Sequence, residues 1–333
     1  MKKTVKFALA LSVALTLVMG SFVGVTRVDA APAKPVNLVI CSSAAGGASY
    51  YLATGLTKIV SEKIPGYTMT NESTSGSGPE NGQFVTDRPE DTFGMLNTDT
   101  MKSALLGLQD RGFRKPLPDL RLAMVGHMQY VYPIVLRSSG IQGFADLKGK
   151  KIALPPKGQG AYYQMLIILE SYGLKEGADY RAIAMTNAEA GDALKDGTVD
   201  CAVVSGSIPQ ATASDLDVTQ NIHFLSLDQE HAQSIVAQYP QYGIGTIPGN
   251  SYKDEPNDTL SLTLSIVIIC NATMDEEIVY NVVKTICENS EEMRVIHANG
   301  PEYSAPSSKA IYENGSLPFH PGALRYFDEL WKK

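Results

Sequence analysis

Short β-branched runs and longer amphipathic stretches alternate along the chain. The run VNLVI at 36–40 predicts a strand, and apolar residues recur at helical spacing between 50 and 63. The same order returns at 92–107 and again at 151–172. Strands that alternate with helices in this way are typical of α/β proteins, so the pattern predicts layers of parallel strands and helices.

Two consecutive strand runs, 121–126 and 131–137, separate this first α/β series from a second one. Further on, the run LSLTLSIVIIC at 260–270 ends without alternation, which is typical of a strand buried on both faces. A helix is predicted at 275–290 and a helical tail at 321–332. Two α/β series and a separate C-terminal segment predict a protein of two lobes.

Two-lobed proteins often build their C-terminal segment back into the first lobe, which leaves two chain crossings as a hinge. On that basis we predict lobe I from 35–127 plus 248–333, and lobe II from 128–247. Ligands of open α/β sheets bind at the carboxyl ends of the strands. The two lobes are therefore expected to face each other across a ligand cleft.

Four loops of small or hydroxylated residues stand between a predicted strand and a helix. They are CSSAAGGASYY (41–51), TSGSGPENG (74–82), PPKGQGAYY (155–163) and VVSGSIPQ (203–210). Small residues allow the backbone to approach a ligand, and the N–H groups at a helix N-terminus favour an anion. Four such loops in matching places indicate a cleft for a small anion such as a carboxylate.

The loops also have simpler interpretations. The first fits a tight strand-to-helix turn, and Ser77 with Glu80 fits a capping box that needs no ligand. The first loop matches neither the dinucleotide motif G-x-G-x-x-G nor a Walker loop, and no lysine lies between Cys41 and Thr57 to pair with a phosphate. The nucleophile-elbow motif G-x-S-x-G is absent from the sequence, so no residue is assigned to catalysis.

The first 30 residues have the pattern of a secretory signal peptide. A basic start, MKKTVK, precedes an apolar stretch at 7–19, and VDA at 28–30 ends in a small-x-small cleavage pattern. We therefore predict export to the periplasm with cleavage after Ala30, the alternative being a retained N-terminal anchor. Residues 1–30 carry four basic residues and one acidic residue, so the net charge of −7 becomes −10 without them. We expect no nucleic-acid partner for so acidic a chain.

Cysteine and histidine usage gives no sign of a metal centre. The cysteines Cys41, Cys201, Cys270 and Cys287 lie in apolar runs, which favours buried thiols, with a bridge between Cys270 and Cys287 as the alternative. The five histidines are scattered, and no CxxC motif occurs. The sequence therefore predicts no metal site and no cofactor.

Several motifs stand in a fixed order along the chain. A Gly-rich turn with Tyr-Tyr is AAGGASYYLATGL at 44–56, and a Gly-Ser-x-x-Asn element is SGPEN, ending at Asn81. The turn DLKGKKI is found at 146–152, and PFHPGALRYF closes the series at 318–327. In this order the motifs resemble those of the TAXI family, the extracytoplasmic substrate-binding subunits of TRAP transporters. The resemblance covers 35–330, and it is specific because the whole set occurs in order.

The resemblance implies an α/β, two-lobed periplasmic-binding fold of type II with a central cleft and hinge, and delivery of the captured solute to a TRAP permease. Family ligands are mostly glutamate, glutamine and related dicarboxylates, so an amino acid of this kind or a dicarboxylate is expected. The chain departs from the family where Asn97-Thr98 replaces Gln-Ser and where residues 159–161 replace Ser-Gly-Thr. Since no arginine lies in the four loops, carboxylate capture would rely on helix N-termini, hydroxyls and backbone N–H groups.

The residues and the resemblance together predict ligand contacts from both lobes. Tyr162 is expected to form an aromatic wall, and Tyr130 and His127, at the first chain crossing, are secondary candidates. The predicted ligand-binding residues are Ser43, Ser49, Tyr50, Ser75, Gly76, Ser77, Asn97, Thr98, Asp99, Gln159, Gly160, Tyr162 and Ser205. Two other classes stay open at this point, an ABC-type solute-binding protein and a secreted enzyme on the same fold. We expect a monomer.

Overall fold

A computed structural model gives the architecture of the chain. The structure describes residues 34–45, 47–74, 78–253 and 255–332. The predicted signal peptide, residues 1–30, and its alternative as an anchor lie outside the described residues. No helix within the described ranges is long and apolar enough to span a membrane.

A single mixed sheet runs through the described chain. Its main strand order is β2-β1-β3-β10-β4-β7-β5-β6, with β8 on β4 and β9 on β10. The strands are β1 (Val36–Cys41), β2 (Tyr67–Glu72), β3 (Thr92–Asn97), β4 (Leu120–Leu136), β5 (Lys151–Leu154), β6 (Arg181–Ala184), β7 (Cys201–Gly206), β8 (Ile222–Phe224), β9 (Gly243–Ile247) and β10 (Thr259–Asn271).

The prediction of parallel strands is confirmed for two parts of this sheet and wrong for its centre. The pairs β1–β2, β1–β3, β5–β6 and β5–β7 are parallel. Strand β10 runs antiparallel to β3, β4 and β9, and β4 runs antiparallel to β7. The two runs predicted at 121–126 and 131–137 form one continuous strand, β4, in which two fully buried stretches meet around the less buried residues Met128 and Gln129.

Helices follow the parallel strands and cover the sheet. The helices are α1 (Ala48–Lys63), α2 (Pro79–Asp87), α3 (Thr98–Leu106), α4 (Gly160–Ser171), α5 (Asn187–Lys195), α6 (Ala211–Thr219), α7 (Gln229–Gln238), α8 (Glu276–Asn289), α9 (Ala305–Asn314) and α10 (Pro321–Trp331). Ser77, the predicted first residue of the capping box, lies outside the described residues, and helix α2 has Gly78 as its N-cap and Pro79 as its first residue. Proline suits that position because its missing N–H has no helical partner there.

Apolar residues pack into three buried clusters that divide along the chain. One cluster draws its buried residues from 38–125 and 266–327, and the other two draw theirs from 130–262. Among the described elements, only β4 and β10 contribute buried residues to both groups. The pairing of β4 with β10 shifts register between Ser265 and Val267, close to the point where both strands pass from one group to the other.

The cysteines of this sheet and of α8 are thiols. None is bridged within the described chain, and Cys41, Cys201 and Cys270 are buried. Burial raises the pKa of the Cys41 thiol to about 11, so it stays protonated at neutral pH. The interpretation of these cysteines as buried thiols is confirmed for these three residues.

Candidate ligand-binding site

A cavity of about 580 Å³ lies where β4 and β10 pass between the two groups of clusters. Its lining includes Gln129 of β4 and Leu264 of β10, which are paired directly across the sheet. Residues at or just after the carboxyl ends of β1, β3, β5 and β7 also line the cavity. The cavity therefore lies at the carboxyl ends of parallel strands, where open α/β sheets bind ligands.

Six of the predicted ligand-binding residues line this cavity. They come from the ends of four different strands, which the topology brings to the same place. The six are Ser43, Ser49, Asn97, Gln159, Gly160 and Ser205. Ser75, Gly76 and Ser77 lie outside the described residues.

Four other predicted residues do not line the cavity. Tyr50 stacks edge-on against Tyr51, with 5.9 Å between ring centroids, and its carbonyl accepts hydrogen bonds from Asn71 and Thr54. The Thr98 hydroxyl donates to the Gln241 carbonyl at 2.9 Å. Neither residue is among those that line the cavity.

Asp99 and Tyr162 are the other two predicted residues outside the lining. Asp99 is buried and forms an ion pair with Arg111. Tyr162 packs in one of the buried clusters of 130–262, and its hydroxyl donates to Glu176 at 3.2 Å. Tyr162, predicted as an aromatic wall, and Asp99, predicted as a ligand contact, are both absent from the lining.

The secondary candidates, His127 and Tyr130, also lie outside the lining. His127 is fully buried, with its Nδ1 2.9 Å from the Tyr303 hydroxyl. Tyr130 is buried in one of the two clusters of 130–262 and packs against Gly245. Both residues pack around the β4 crossing, the point where β4 passes from one group of buried clusters to the other.

Three helices begin at the cavity with an N-cap residue that makes no side-chain cap hydrogen bond. These N-cap residues are Gly47 for α1, Gly78 for α2 and Gln159 for α4. Helix α3 differs, because the Asn97 side chain accepts a hydrogen bond from the Thr100 N–H at 2.8 Å. Uncapped helix N-termini carry partial positive charge and free N–H donors, so their convergence favours an anion.

Gly160 lets the start of α4 approach Asn97 closely. A Cβ at this position would lie 2.5 Å from Leu264 Cδ1 and 2.9 Å from Asn97 Nδ2. Such distances are shorter than van der Waals contact, so a larger residue would push the elements apart. The glycine therefore brings the α4 N-terminus directly against the end of β3.

Two cations line the cavity, and the sequence analysis singled out neither. Lys157 lies in the loop before α4, and Arg111 comes from the polar connection after α3. The Arg111 guanidinium lies over the Tyr163 ring, 3.1 Å from its centroid, and pairs with Asp99. No local pattern in the sequence marks Arg111, because its partners lie elsewhere in the chain.

Asp99 connects this arginine to a second group of contacts. Its Oδ1 accepts a hydrogen bond from the Tyr242 hydroxyl at 3.1 Å, and the Lys102 ammonium donates to the Gln241 side chain at 2.9 Å. Burial is the main cause that raises the pKa of Tyr242, which keeps this phenol a donor. The contacts join α3 to the segment before β9, directly beside the cavity.

Three amide side chains of the lining were also missed. Gln129 and Gln164 line the cavity from β4 and α4. Asn187, which lines it too, donates to the Ser205 carbonyl at 2.9 Å and accepts from the Ser205 N–H at 3.2 Å. This paired contact orients the backbone at Ser205. The only signal for Asn187 in the sequence is that it comes shortly after a predicted strand.

The sheet, the two groups of buried clusters and the cavity between them define the class of the fold, the two-lobed α/β fold of periplasmic binding proteins. A TctC solute-binding protein from Polaromonas has this fold, with a TM-score of 0.55 and 13% identity over 91% of this chain and 99% of that one. MatC from Rhodopseudomonas palustris, with bound malate, gives a TM-score of 0.53 and 14% identity over 89% and 99%. The periplasmic aliphatic sulphonate-binding protein SsuA from Escherichia coli gives 0.52 and 17% over 89% and 79%.

The family follows from the sequence itself. The model of the NMT1-like family matches residues 40–330, which is most of the chain. The chain belongs to the NMT1-like family.

Proposed function

We propose that the protein is an extracytoplasmic solute-binding receptor that captures a small anion in the cavity described above. The observation that carries this proposal is the convergence on one cavity of Arg111, Lys157 and three helix N-termini whose N-cap residues make no side-chain cap hydrogen bond. Helix N-termini and guanidinium groups both stabilise a bound oxyanion. The cavity binds rather than transforms the solute in this proposal.

The solute is a small carboxylate. The motifs resembling the TAXI family support this choice, and the solved structures of similar fold include one with bound malate. Arg111 and Lys157 would repel the ammonium group of an amino acid placed beside them. Between the two ligand classes that the resemblance implies, an amine-free dicarboxylate is therefore favoured over a glutamate-like amino acid.

The two groups of buried clusters act as lobes in the proposal, with lobe I at 35–127 plus 248–333 and lobe II at 128–247. Support comes from the clusters, which separate near residues 126–130 and 262–266. Since a solute in the cavity contacts both groups, it favours the closed arrangement by binding it more tightly. Strands β4 and β10 would carry the hinge.

A membrane permease of the TRAP type receives the solute in this proposal, as the TAXI-like motifs suggest, and the receptor works as a periplasmic monomer. An ABC-type permease is the competing partner. Uptake measured in vesicles that contain the permease separates the two. Uptake driven by an ion gradient supports the TRAP partner, and uptake that requires ATP supports the ABC partner.

Thermal denaturation with a panel of solutes tests the central proposal. The panel pairs 2-oxoglutarate with glutamate and adds malate, glutamine and an alkanesulphonate. A ligand at one hundred times its Kd stabilises the native state by about 2.7 kcal/mol, which for about 300 folded residues corresponds to a shift in Tm of about 4 °C. We expect such a shift with a dicarboxylate and a smaller one with its amine-bearing partner.

Three results would count against parts of this proposal. A larger shift with the alkanesulphonate than with every carboxylate would overturn the carboxylate class. A larger shift with glutamate than with 2-oxoglutarate would overturn the argument from Arg111 and Lys157. Chemical conversion of a bound solute, followed by mass spectrometry, would show an enzyme in place of a receptor.

A further inference from the structure

Gln164 is a buried polar side chain that lines the cavity. It lies in the second turn of α4, and only 2% of its surface is exposed. Its Nε2 has no hydrogen-bond acceptor among the residues that the structure describes. Buried polar groups in native proteins are almost always hydrogen-bonded, so this amide requires an explanation.

The position of Gln164 on its helix relates it to the α4 N-terminus. Side chains in an α-helix tilt toward the N-terminus, so a residue one turn after Gly160 lies above the first turn. The N–H groups of Gly160 and Ala161 likewise have no acceptor within the described chain. Helix α4 therefore presents two free backbone donors and one buried amide donor at the same end.

Two positively charged side chains lie near this helix end, where the free N–H donors also lie. Lys157 lies in the loop that leads into α4, and Arg111 stacks on Tyr163 of the same helix. Both side chains line the cavity beside the helix start. An oxyanion there would have cationic neighbours as well as hydrogen-bond donors.

We propose that Gln164 and the first turn of α4 form the subsite for one carboxylate group of the solute, with Gln164 as a specificity-determining residue. The inference rests on the proposed function and adds that one carboxylate group of the solute binds at the N-terminus of α4. One carboxylate offers two acceptor oxygens, so it can satisfy the backbone donors of α4 and the amide of Gln164 together. The unpaired amide is retained because the bound solute, rather than the protein, supplies its partner.

Replacement of the amide by a hydrocarbon side chain separates binding from folding. Gln164→Leu keeps the volume and removes the unpaired polar group, so we expect the Tm without solute to stay equal or rise. We expect the Kd for the tightest binder among malate, 2-oxoglutarate and glutamate to increase at least tenfold by titration calorimetry. Gln164→Glu adds a negative charge beside the carboxylate, and we expect at least a hundredfold increase at pH 7.

The matched control is Gln233→Leu, the same substitution at an exposed position of α7, which should leave both Kd and Tm unchanged. If Gln164→Leu binds the solute as tightly as the wild type does, the subsite is wrong while the receptor function stands. A fall in the Tm of unliganded Gln164→Leu below that of the control would assign Gln164 a structural role and overturn the inference. If the wild type binds no member of the panel, the proposed function itself fails.

Discussion

Arg111 is a cavity residue that no pattern in the sequence indicates. Its guanidinium lines the cavity and is held by Asp99 on one side and by the Tyr163 ring on another. We expect Arg111→Gln to weaken carboxylate binding at least tenfold, about 1.4 kcal/mol, because the solute loses a cationic neighbour. Arg111→Lys should restore only part of the affinity, since a lysine cannot reproduce the planar stacking on the ring. Titration calorimetry measures both.

The control for this prediction is Arg114→Gln, three residues further on and exposed. An equal loss of affinity in Arg114→Gln would mean that net charge, and not the position of Arg111, attracts the solute. Arg111→Gln also leaves the buried Asp99 without its cation, which is destabilising in itself. The double variant with Asp99→Asn removes that penalty, and its affinity should stay low even as its stability recovers.

The six cavity residues predicted from the sequence share one signal. Each lies at or soon after the carboxyl end of a strand that has a parallel neighbour, and chain topology alone brings such positions together. Tyr50 and Tyr162 were chosen for aromatic character, which does not reveal the direction of a side chain on its helix. Arg111 lies in a polar connection that resembles any surface loop, so only the fold reveals its contact with Asp99, twelve residues away.

At the scale of elements, Asn81 connects the start of α2 to two strand ends. It is fully buried, and its Nδ2 donates to the carbonyls of Ser42 at 2.8 Å, Met95 at 2.9 Å and Cys41 at 3.2 Å. These carbonyls account for the amide nitrogen of the asparagine in the SGPEN motif, while its buried Oδ1 has no donor among the described residues. We expect Asn81→Leu to lower the free energy of unfolding by about 2 kcal/mol, because buried carbonyls lose their donor.

Urea unfolding of Asn81→Leu and of Gln83→Leu measures this effect. Gln83 lies on the exposed face of the same helix, where its amide reaches only Asp87, so its replacement should change stability by less than about 0.5 kcal/mol. Equal destabilisation of the two variants would mean that the helix surface, rather than the contacts to the strand ends, carries the effect. We also expect Asn81→Leu to weaken solute binding, since the Ser42 carbonyl immediately precedes the cavity residue Ser43.

At the scale of the whole molecule, local pattern predicted the elements well and their arrangement only in part. Runs such as VNLVI became strands where expected, because period and β-branching act over a few residues. The insertion of β10 between β3 and β4 joins segments more than a hundred residues apart, and no local signal encodes it. The apolar run of β10 indicated burial on both faces, but it did not indicate which strands pair with β10.

His127 links the β4 crossing to the stability of the whole molecule. Burial is the main cause that lowers the pKa of its imidazole to about 3, with His297 as a lesser one, and its Nδ1 lies against Tyr303. In the unfolded chain the pKa is about 6.5. Between pH 6.5 and pH 3 the unfolded state therefore binds a proton that the folded state does not, so stability falls as the pH falls. Above pH 6.5 both states are neutral and the effect vanishes.

His127→Gln should make stability less sensitive to acid. For the wild type, this one histidine contributes a loss of about 1.5 kcal/mol between pH 6.5 and pH 5, and the variant lacks that contribution. Urea unfolding at pH 7.5, 6.5, 5.8 and 5.0 gives the slope for each protein, and the slopes are compared because the variant also changes the contact with Tyr303. Parallel slopes would mean that His127 protonates equally in both states, which its complete burial opposes. A flatter slope confined to the range below pH 6.5 would identify the buried imidazole at the β4 crossing as a source of acid sensitivity in the fold.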